Sequence, residues 1–548
     1  MQGILAARID RLPAEAKELL QTLAVLGREF TISLIGAVVT KPDDELNRLL
    51  NDLQLGEFIY EQPAIGDTEY VFKHALTQEV AYNSVLMERR QQLHGRTAGA
   101  LETLYASSVE EHLAALAHHY GRSANLDKAV QYLTRAGQQA LNRSAFAEAQ
   151  AQLQQGLEGI KKLPESPERD ARELQLARTL AQVFLLTRGF TAPETRAAAE
   201  RARDLAEKGG NLAQLVAQVF GIWRSLFFTG DYSTGGLLAD RLLYLAEREG
   251  SPTSFAFVCR AQVDVNFYRG DLVRVEEHFA RWSGFLDADG FRQSTGAAVV
   301  VIGFAALCAW ALGCADRARE RLAHAIAFVR DSNNPYDLAT GRLWESWLFC
   351  LLRESQRTEV AAMQALAVAE EHGFSDLTNL TRPVLGWAQA HLGRAGEGVA
   401  LIRQGLAGFA ETGNRVYLTD VLTGLAETQA LDGKIDEALA TIEEALQVNP
   451  EESFFRPNAL TLRGALRLRL GQTELAEADF REAIALAQTM QAKAWELRAT
   501  TSLARLLDKQ GNRDQARTML ADIYGWFTEG FDTADLKDAK ALLAQLRG

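Results

Sequence analysis

The chain has 548 residues with 71 acidic and 58 basic side chains, a formal net charge of −13, which argues against a broad surface for nucleic acid or anionic lipid. Hydrophobic residues make up 47% and prolines number 11, so there is much apolar surface to bury and a bias towards helix. The four cysteines include no CxxC pair, which signals neither a zinc site nor a disulfide framework; they read as small buried hydrophobes in a reducing compartment.

The N-terminus, MQGILAARIDRL, lacks the apolar core of a secretory signal, so a cytoplasmic protein is expected. Pro13 followed by AEAKELLQTLAVLG predicts a helix with proline in its first turn. Thr31 to Val39 predicts a second helix, and Pro42-Asp43-Asp44 opens a third that runs to Leu55. EFIYEQ and EYVFKH alternate, are aromatic and β-branched, and flank Pro-Ala-Ile-Gly-Asp-Thr, a turn composition; they predict a β-hairpin. Three helices and a hairpin, in that order, predict a winged-helix domain over 1–100. Its third helix, DDELNRLLNDLQ, carries more acid than base and would repel phosphate, so no nucleic-acid partner is expected. One helix from Leu76 through ERRQQLH is predicted to lead into a repetitive region.

Beyond residue 100 the chain repeats itself. A glycine followed five residues later by a small residue recurs at Gly230/Gly235, Gly313/Ala318, Gly393/Gly398, Gly433/Ala438, Gly471/Ala476 and Gly511/Ala516, in steps near 40 residues. Gly270 begins another joint with Val275 in the small position, and one unit lacks the glycine and turns near Arg353-Glu354-Ser355. Each glycine closes one helix, and the small residue lets the next helix approach closely. A hairpin with one apolar stripe cannot bury it alone, so such units stack. A period near 40 also falls in the HEAT/armadillo range, but GKIDEALATIEEALQVNP (433–450) is tetratricopeptide-like. The prediction is a right-handed α-solenoid, all-α apart from the N-terminal hairpin. Nine hairpins should have first helices starting near 170, 211, 253, 296, 336, 376, 415, 456 and 493. A shorter hairpin is expected over 110–160. The resulting scheme is a winged helix over 1–100, a junction over 101–165, a superhelix over 166–530 and a capping helix over 531–548. Gly296 to Ala315 holds twenty uncharged residues, long enough to span a bilayer, but it falls in register with the repeat and reads as a buried solenoid helix, so no membrane partner is expected.

Candidate functional residues are few. The first helices of the hairpins should line a concave surface, where aromatics beside arginines make good anchors. Trp223, Arg224, Tyr268, Arg342, Trp344, Arg382 and Trp387 are the groove candidates, suited to a protein, a peptide or an acidic ligand. His112 and His119 would sit about 10 Å apart along one helix, too far to share a zinc ion, so no metal is expected. No nucleophile sits in a strand–turn–helix context, so no catalytic residue is assigned.

Three segments carry a resemblance: GILAARIDRLPAEAKELLQTLAVLGREF with VFKHALTQEVAYNSVLMERRQQLH; HLAALAHHYGRSANLDKAVQYLTRAGQQALNRSAFAEAQAQLQQGLEGI; and WELRATTSLARLLDKQGNRDQARTMLADIYGWFTEGFDTADLKDAKALL. They are similar to the C-terminal half, winged helix plus tetratricopeptide array, of bacterial signalling ATPases of the adenylate/guanylate cyclase-associated type. That resemblance implies an ATPase core ahead of the winged helix, and a cyclase domain in many members. No Gly-x-x-x-x-Gly-Lys-Ser/Thr loop is present: Gly433-Lys434 is followed by Ile435 and has Thr428 in place of the first glycine. The chain therefore reads as the back half of such a protein, whether truncated gene, fragment or split subunit, with no enzyme activity or cofactor of its own. The resemblance also implies that His74, in VFKHAL, could offer an imidazole N–H to a nucleotide phosphate supplied in trans; the alternative is a histidine packing or capping the following helix. The leading expectation is a non-catalytic protein-interaction and ligand-sensing module that regulates an ATPase or cyclase partner. A fragment of an ATP-binding nucleotide cyclase and a transcription regulator are the alternatives.

Overall fold

The computed structural model describes residues 2–62, 67–143, 145–188, 192–286, 297–332 and 334–547. Two units emerge, Met1–Thr187 and Arg188–Gly548.

The first unit begins with α1 (Gln2–Asp10) and α2 (Ala14–Leu26), then β1 (Glu29–Thr31), α3 (Ile32–Val39), α4 (Asp43–Leu55), β2 (Ile59–Gln62) and β3 (Glu69–Phe72). The second strand, third strand and three helices match the sequence expectation; α1 and β1 are additions. The sheet is antiparallel in the order β1-β3-β2, with Phe30 opposite Tyr70 and Ile59 opposite Phe72. Thr31 ends β1 and caps α3, its hydroxyl accepting from the Leu34 N–H. The expected turn at Pro63–Gly66 lies outside the described residues. The single helix expected from Leu76 is two, α5 (Ala75–Asn83) and α6 (Met87–Leu104); the Ser84 hydroxyl bonds the Ala81 carbonyl and the chain bends there. The one hairpin expected over 110–160 is three helices, α7 (Leu113–Tyr120), α8 (Leu126–Asn142) and α9 (Phe146–Ile160), because Asn125 starts a new helix by capping the Lys128 N–H. One continuous core runs from Leu23, Phe30 and Leu50 to Leu116 and Tyr132. The expected boundary at 100 therefore falls inside a shared interior. Helix α10 (Pro167–Arg188) completes the unit and crosses its limit at Thr187.

The second unit is an α-solenoid. After α11 (Pro193–Lys208), eight helical hairpins follow among the described residues: α12/α13 (Leu212–Phe228, Tyr232–Glu249), α14/α15 (Pro252–Arg269, Leu272–Trp282), α16/α17 (Ala297–Ala311, Ala315–Ser332), α18/α19 (Pro335–Leu351, Ser355–Glu371), α20/α21 (Ser375–His391, Ala395–Thr412), α22/α23 (Leu418–Leu431, Ile435–Val448), α24/α25 (Arg456–Arg469, Thr473–Thr489) and α26/α27 (Lys493–Lys509, Arg513–Trp526). Helix α28 (Ala534–Gln545) closes the array. The uncharged stretch forms α16, whose residues from Ala298 to Ala311 are buried apart from half-buried Val300; Gly296 lies outside the described residues. Among the described residues no helix is long and apolar enough to cross a membrane. All four cysteines are free, and Cys259 and Cys308 are buried.

The solenoid coils back on itself about five hairpins on. The Arg415 N–H donates to the Phe228 carbonyl at 2.9 Å, and the Ser453 N–H to the Tyr268 carbonyl at 2.7 Å. Phe454 lies on Phe267 at 3.9 Å between ring centroids, and Trp495 meets Trp310 at 4.7 Å. Glu451 accepts from the Ser233 N–H at the start of α13, and Glu529 accepts from the Asp316 N–H at the start of α17, both at 2.9 Å. Each carboxylate thus satisfies an open helix N-terminus in the other coil. The turn glycines share in this seam. Gly270 (φ +78°) and Gly313 (φ +90°) close their helices in the left-handed region, and a Cβ there would stand 2.3 Å from Met490 Sδ and 2.6 Å from Trp526.

Candidate functional site

The inside of the second unit carries a cavity of about 360 Å³. The helices that wall it, α18, α20, α22, α24 and α26, are all first helices of their hairpins, joined by the capping helix α28. Asp420, Gly424 and Glu427 follow one another at i, i+4 and i+7 on α22, and therefore share one face. The Trp387 indole N–H donates to Glu427 Oε2 at 2.7 Å, and its ring lies on His391 at 4.2 Å. His391 Nε2 is 3.2 Å from Glu427 Oε1. Pro383, inside α20, also lines the space and removes one helical N–H. On another side Arg498 holds Asp535 at 2.6 Å and the Leu351 carbonyl at 2.8 Å, while Arg353 holds Asp538 at 2.8 Å. Arg353 stands where the missing glycine would be, at φ +62°.

The two acids of α22 differ in state. Burial pushes the Glu427 carboxyl up, but bonds from His391 and Trp387 outweigh it and hold it below its ordinary range. Asp420 has no hydrogen bond or ion pair among the described residues. Burial, then the negative charge of Glu427, pushes its carboxyl up to about 7. Its side chain is part-exposed into the cavity, yet protein surrounds it, so it is open to a ligand but poorly hydrated.

A second polar cluster sits on α12 and α14. Asp264 is fully buried; burial raises its carboxyl to about 6 despite an ion pair with Arg260, and its Oδ1 has no partner. Arg224 is half-buried, and burial together with neighbouring Arg260 lowers its guanidinium to about 10. Near them the Tyr336 hydroxyl donates to Asp376 Oδ2 at 2.6 Å.

The residues singled out in the sequence divide among these places. Trp387 lines the cavity and Arg224 the second cluster. Trp223 is fully buried and stacks on Phe220 and Phe227. Tyr268 is fully buried, stacks on Tyr232 at 5.1 Å and belongs to the seam between coils. Trp344 is 2% exposed and packs against Phe304 and Trp347. Arg342 pairs with Glu345 at 2.5 Å and Arg382 with Glu370 at 3.2 Å, both half-buried. A groove that gathers all seven is therefore not what the structure forms. Coiling takes Tyr268 into the core, packing within and between neighbouring helices buries Trp223 and Trp344, and the cavity takes Trp387 with acids that the sequence reading passed over. In the first unit, His74 precedes α5 with an exposed side chain, and no side-chain capping bond is made there.

The histidines of α6 and α7 form a network of their own. His94 Nδ1 and His119 Nδ1 are 2.9 Å apart, and Tyr82 Oη is 3.0 Å from His94 Nε2. Of the two Nδ1 atoms one donates and the other accepts, and Tyr82 Oη bonds the far side of the His94 ring. Burial first, and neighbouring charges second, lower His94 to about 4 and His119 to about 3, so both rings are neutral. His119, given no metal role by its spacing from His112, is thus held in a network with His94, which the sequence reading did not single out.

A tetratricopeptide repeat family matches residues 457–490, which are α24, α25 and their turn. An uncharacterised protein of Rhizobium meliloti (strain 1021) is 27% identical over 519 residues, covering 92% of this chain. The chain spans about half the length of that relative. Among solved structures, Rap protein complexed with competence and sporulation factor has a TM-score of 0.48 at 13% identity, covering 70% of this chain and all of that one. A Pyrococcus horikoshii signal transduction ATPase with numerous domains and a tetratricopeptide repeat sensor has a TM-score of 0.33 at 14% identity, covering 98% of this chain and 66% of that one. The chain is thus an α-solenoid with a tetratricopeptide repeat, the class of a protein-interaction or regulatory module.

Proposed function

We propose that the second unit binds a peptide segment in its inner cavity and that the chain is the non-catalytic sensor of a signal-transduction ATPase or cyclase. The observation that carries this reading is Asp420. A carboxylate without a protein partner, set in a cavity walled by five stacked hairpins, has an unmet need that a ligand can satisfy. Binding across several hairpins would favour one degree of coiling over another, which is how a ligand shifts a population. Residues 1–100 serve as a winged helix that carries the state to an ATPase core, with exposed His74 available to a nucleotide phosphate. The whole acts in the cytoplasm. The length of the Rhizobium meliloti relative favours a second reading, in which this chain is the sensor half of a longer ATP-binding cyclase.

A peptide-display selection on the full chain, repeated with Gly424→Leu, tests the binding reading. Enriched peptides that lose affinity at least tenfold for the variant support it. Peptides that bind both proteins equally contradict it.

A further inference from the structure

We infer that the cavity's occupant is the guanidinium of an arginine side chain, held by Asp420 against the rings of Trp347 and Trp387. This deepens the binding reading above and rests on it.

The charge inventory of the cavity leaves one residue over. Of its acids, Asp535 is held by Arg498, Asp538 by Arg353, and Glu427 by His391 and Trp387. Asp420 alone lacks a cation. Its neighbours supply no unpaired cationic donor for an anionic guest, because Arg353 and Arg498 already face carboxylates and Arg505 lies 3.9 Å from Asp538. What the site lacks is one positive charge.

The walls specify its shape. Trp387 lies against His391 at 4.2 Å with the planes 39° apart, and Trp347 lies beside Tyr417 at 4.6 Å with the planes 36° apart. Both indoles line the cavity. A guanidinium is planar, weakly hydrated and able to stack on an indole while donating to a carboxylate in its own plane; a compact ammonium gains less from flat walls. The volume, about 360 Å³, lies at the small end of the range of about 300–1,000 Å³ typical of ligand sites. It suits a side chain and its flanking backbone rather than a folded partner. Asn458, which lines the cavity and whose side chain makes no hydrogen bond among the described residues, offers both a donor and an acceptor to that backbone.

Gly424 is the independent sign. It sits in the middle of α22, between Asp420 and Glu427, where glycine weakens a helix relative to alanine. Close packing does not require it: a Cβ there would meet only Trp387 Cδ1, at 4.0 Å. Its backbone is part-exposed into the cavity. A glycine that no protein neighbour demands leaves open floor where a guest can approach the helix.

The experiment titrates the full chain with acetyl-Ala-Ala-Arg-Ala-Ala-amide and with the same peptide carrying citrulline, lysine or glutamate in place of arginine, read by calorimetry and indole fluorescence. The arginine peptide should bind at least tenfold tighter than the citrulline one, which has the same shape without the charge. Asp420→Asn should erase that preference, and Gly424→Leu should remove binding, with far-ultraviolet circular dichroism unchanged in both. Equal binding of arginine and citrulline, a preference that survives Asp420→Asn, or tighter binding of lysine overturns the inference. Tighter binding of glutamate that Gly424→Leu removes overturns it too, while leaving the cavity reading intact. Binding of none of the four overturns it; the cavity reading is then judged by the display selection.

Discussion

Burial shifts different kinds of ionisable group in the two units, each towards its neutral form. In the first unit these are His94 and His119, lowered to about 4 and about 3. In the second they are Glu452, raised to about 8, and Asp264, raised to about 6. Burial favours the neutral form in every case, which lowers a base and raises an acid. The consequence for stability has opposite signs. The histidines bind more protons unfolded, so their contribution is full above about pH 6.5 and fades as pH falls towards their folded values. The buried acids bind more protons folded, so their contribution is full below about pH 4 and fades as pH rises towards about 8. Two helical units of one chain should therefore part company at both ends of the pH scale.

The largest expected effect sharpens that division. Phe454 is fully buried on Phe267 in the seam between coils. Phe454→Ala should cost the second unit about 3–5 kcal/mol and leave the first unit's unfolding transition in place, as scanning calorimetry would read. A shift of both transitions together would break the comparison.

Next comes Glu452. It is fully buried, accepts from Thr419 Oγ1 at 3.0 Å and from Asn449 Nδ2 at 3.2 Å, and leaves Oε1 without a partner. Glu452→Gln puts an amide that cannot ionise in its place, so the second unit's loss of stability between pH 4.5 and 8 should flatten. An unchanged slope would show that another group governs it.

For the first unit, lowering pH from 7 to 5 should cost about 2 kcal/mol through His94 alone, as pH-dependent urea unfolding would measure. His94→Gln should remove most of that loss; an equal loss in the variant would relocate the acid sensitivity. The smallest effect concerns the surface. Arg48 and Glu15 are 3.2 Å apart but both more than half exposed, so a double-mutant cycle should give less than about 1 kcal/mol.

The array was legible because helical hairpins are written locally. First helices expected near 211, 253, 336, 376, 456 and 493 begin at Leu212, Pro252, Pro335, Ser375, Arg456 and Lys493. Apolar spacing and turn glycines fix those limits without help from distant residues. Coiling is different. The bonds from Arg415 to Phe228 and from Ser453 to Tyr268 join residues about five hairpins apart, and no periodicity announces them. A tryptophan on a first helix has the same sequence spacing whether it lines a cavity, as Trp387 does, or meets another coil, as Trp310 does. One sign was present: the joints VNPEESFFRP and YGWFTEGFDT are long and aromatic, which an exposed joint has no need to be. They hold Phe454, Phe455 and Phe527, all buried. Asp420 gave no signal, since an acid near the start of a helix is commonplace until its surroundings are known.

Hydrogen exchange of the full chain, with and without a selected peptide, tests the central claim most directly. The inner wall of the second unit, and no part of the first, should hold the ligand. Slowed exchange in Leu418–Leu431 and Arg456–Arg469, with the outward second helices unchanged, is the predicted result. Protection confined to Met1–Thr187, or spread over the second helices alone, would contradict it.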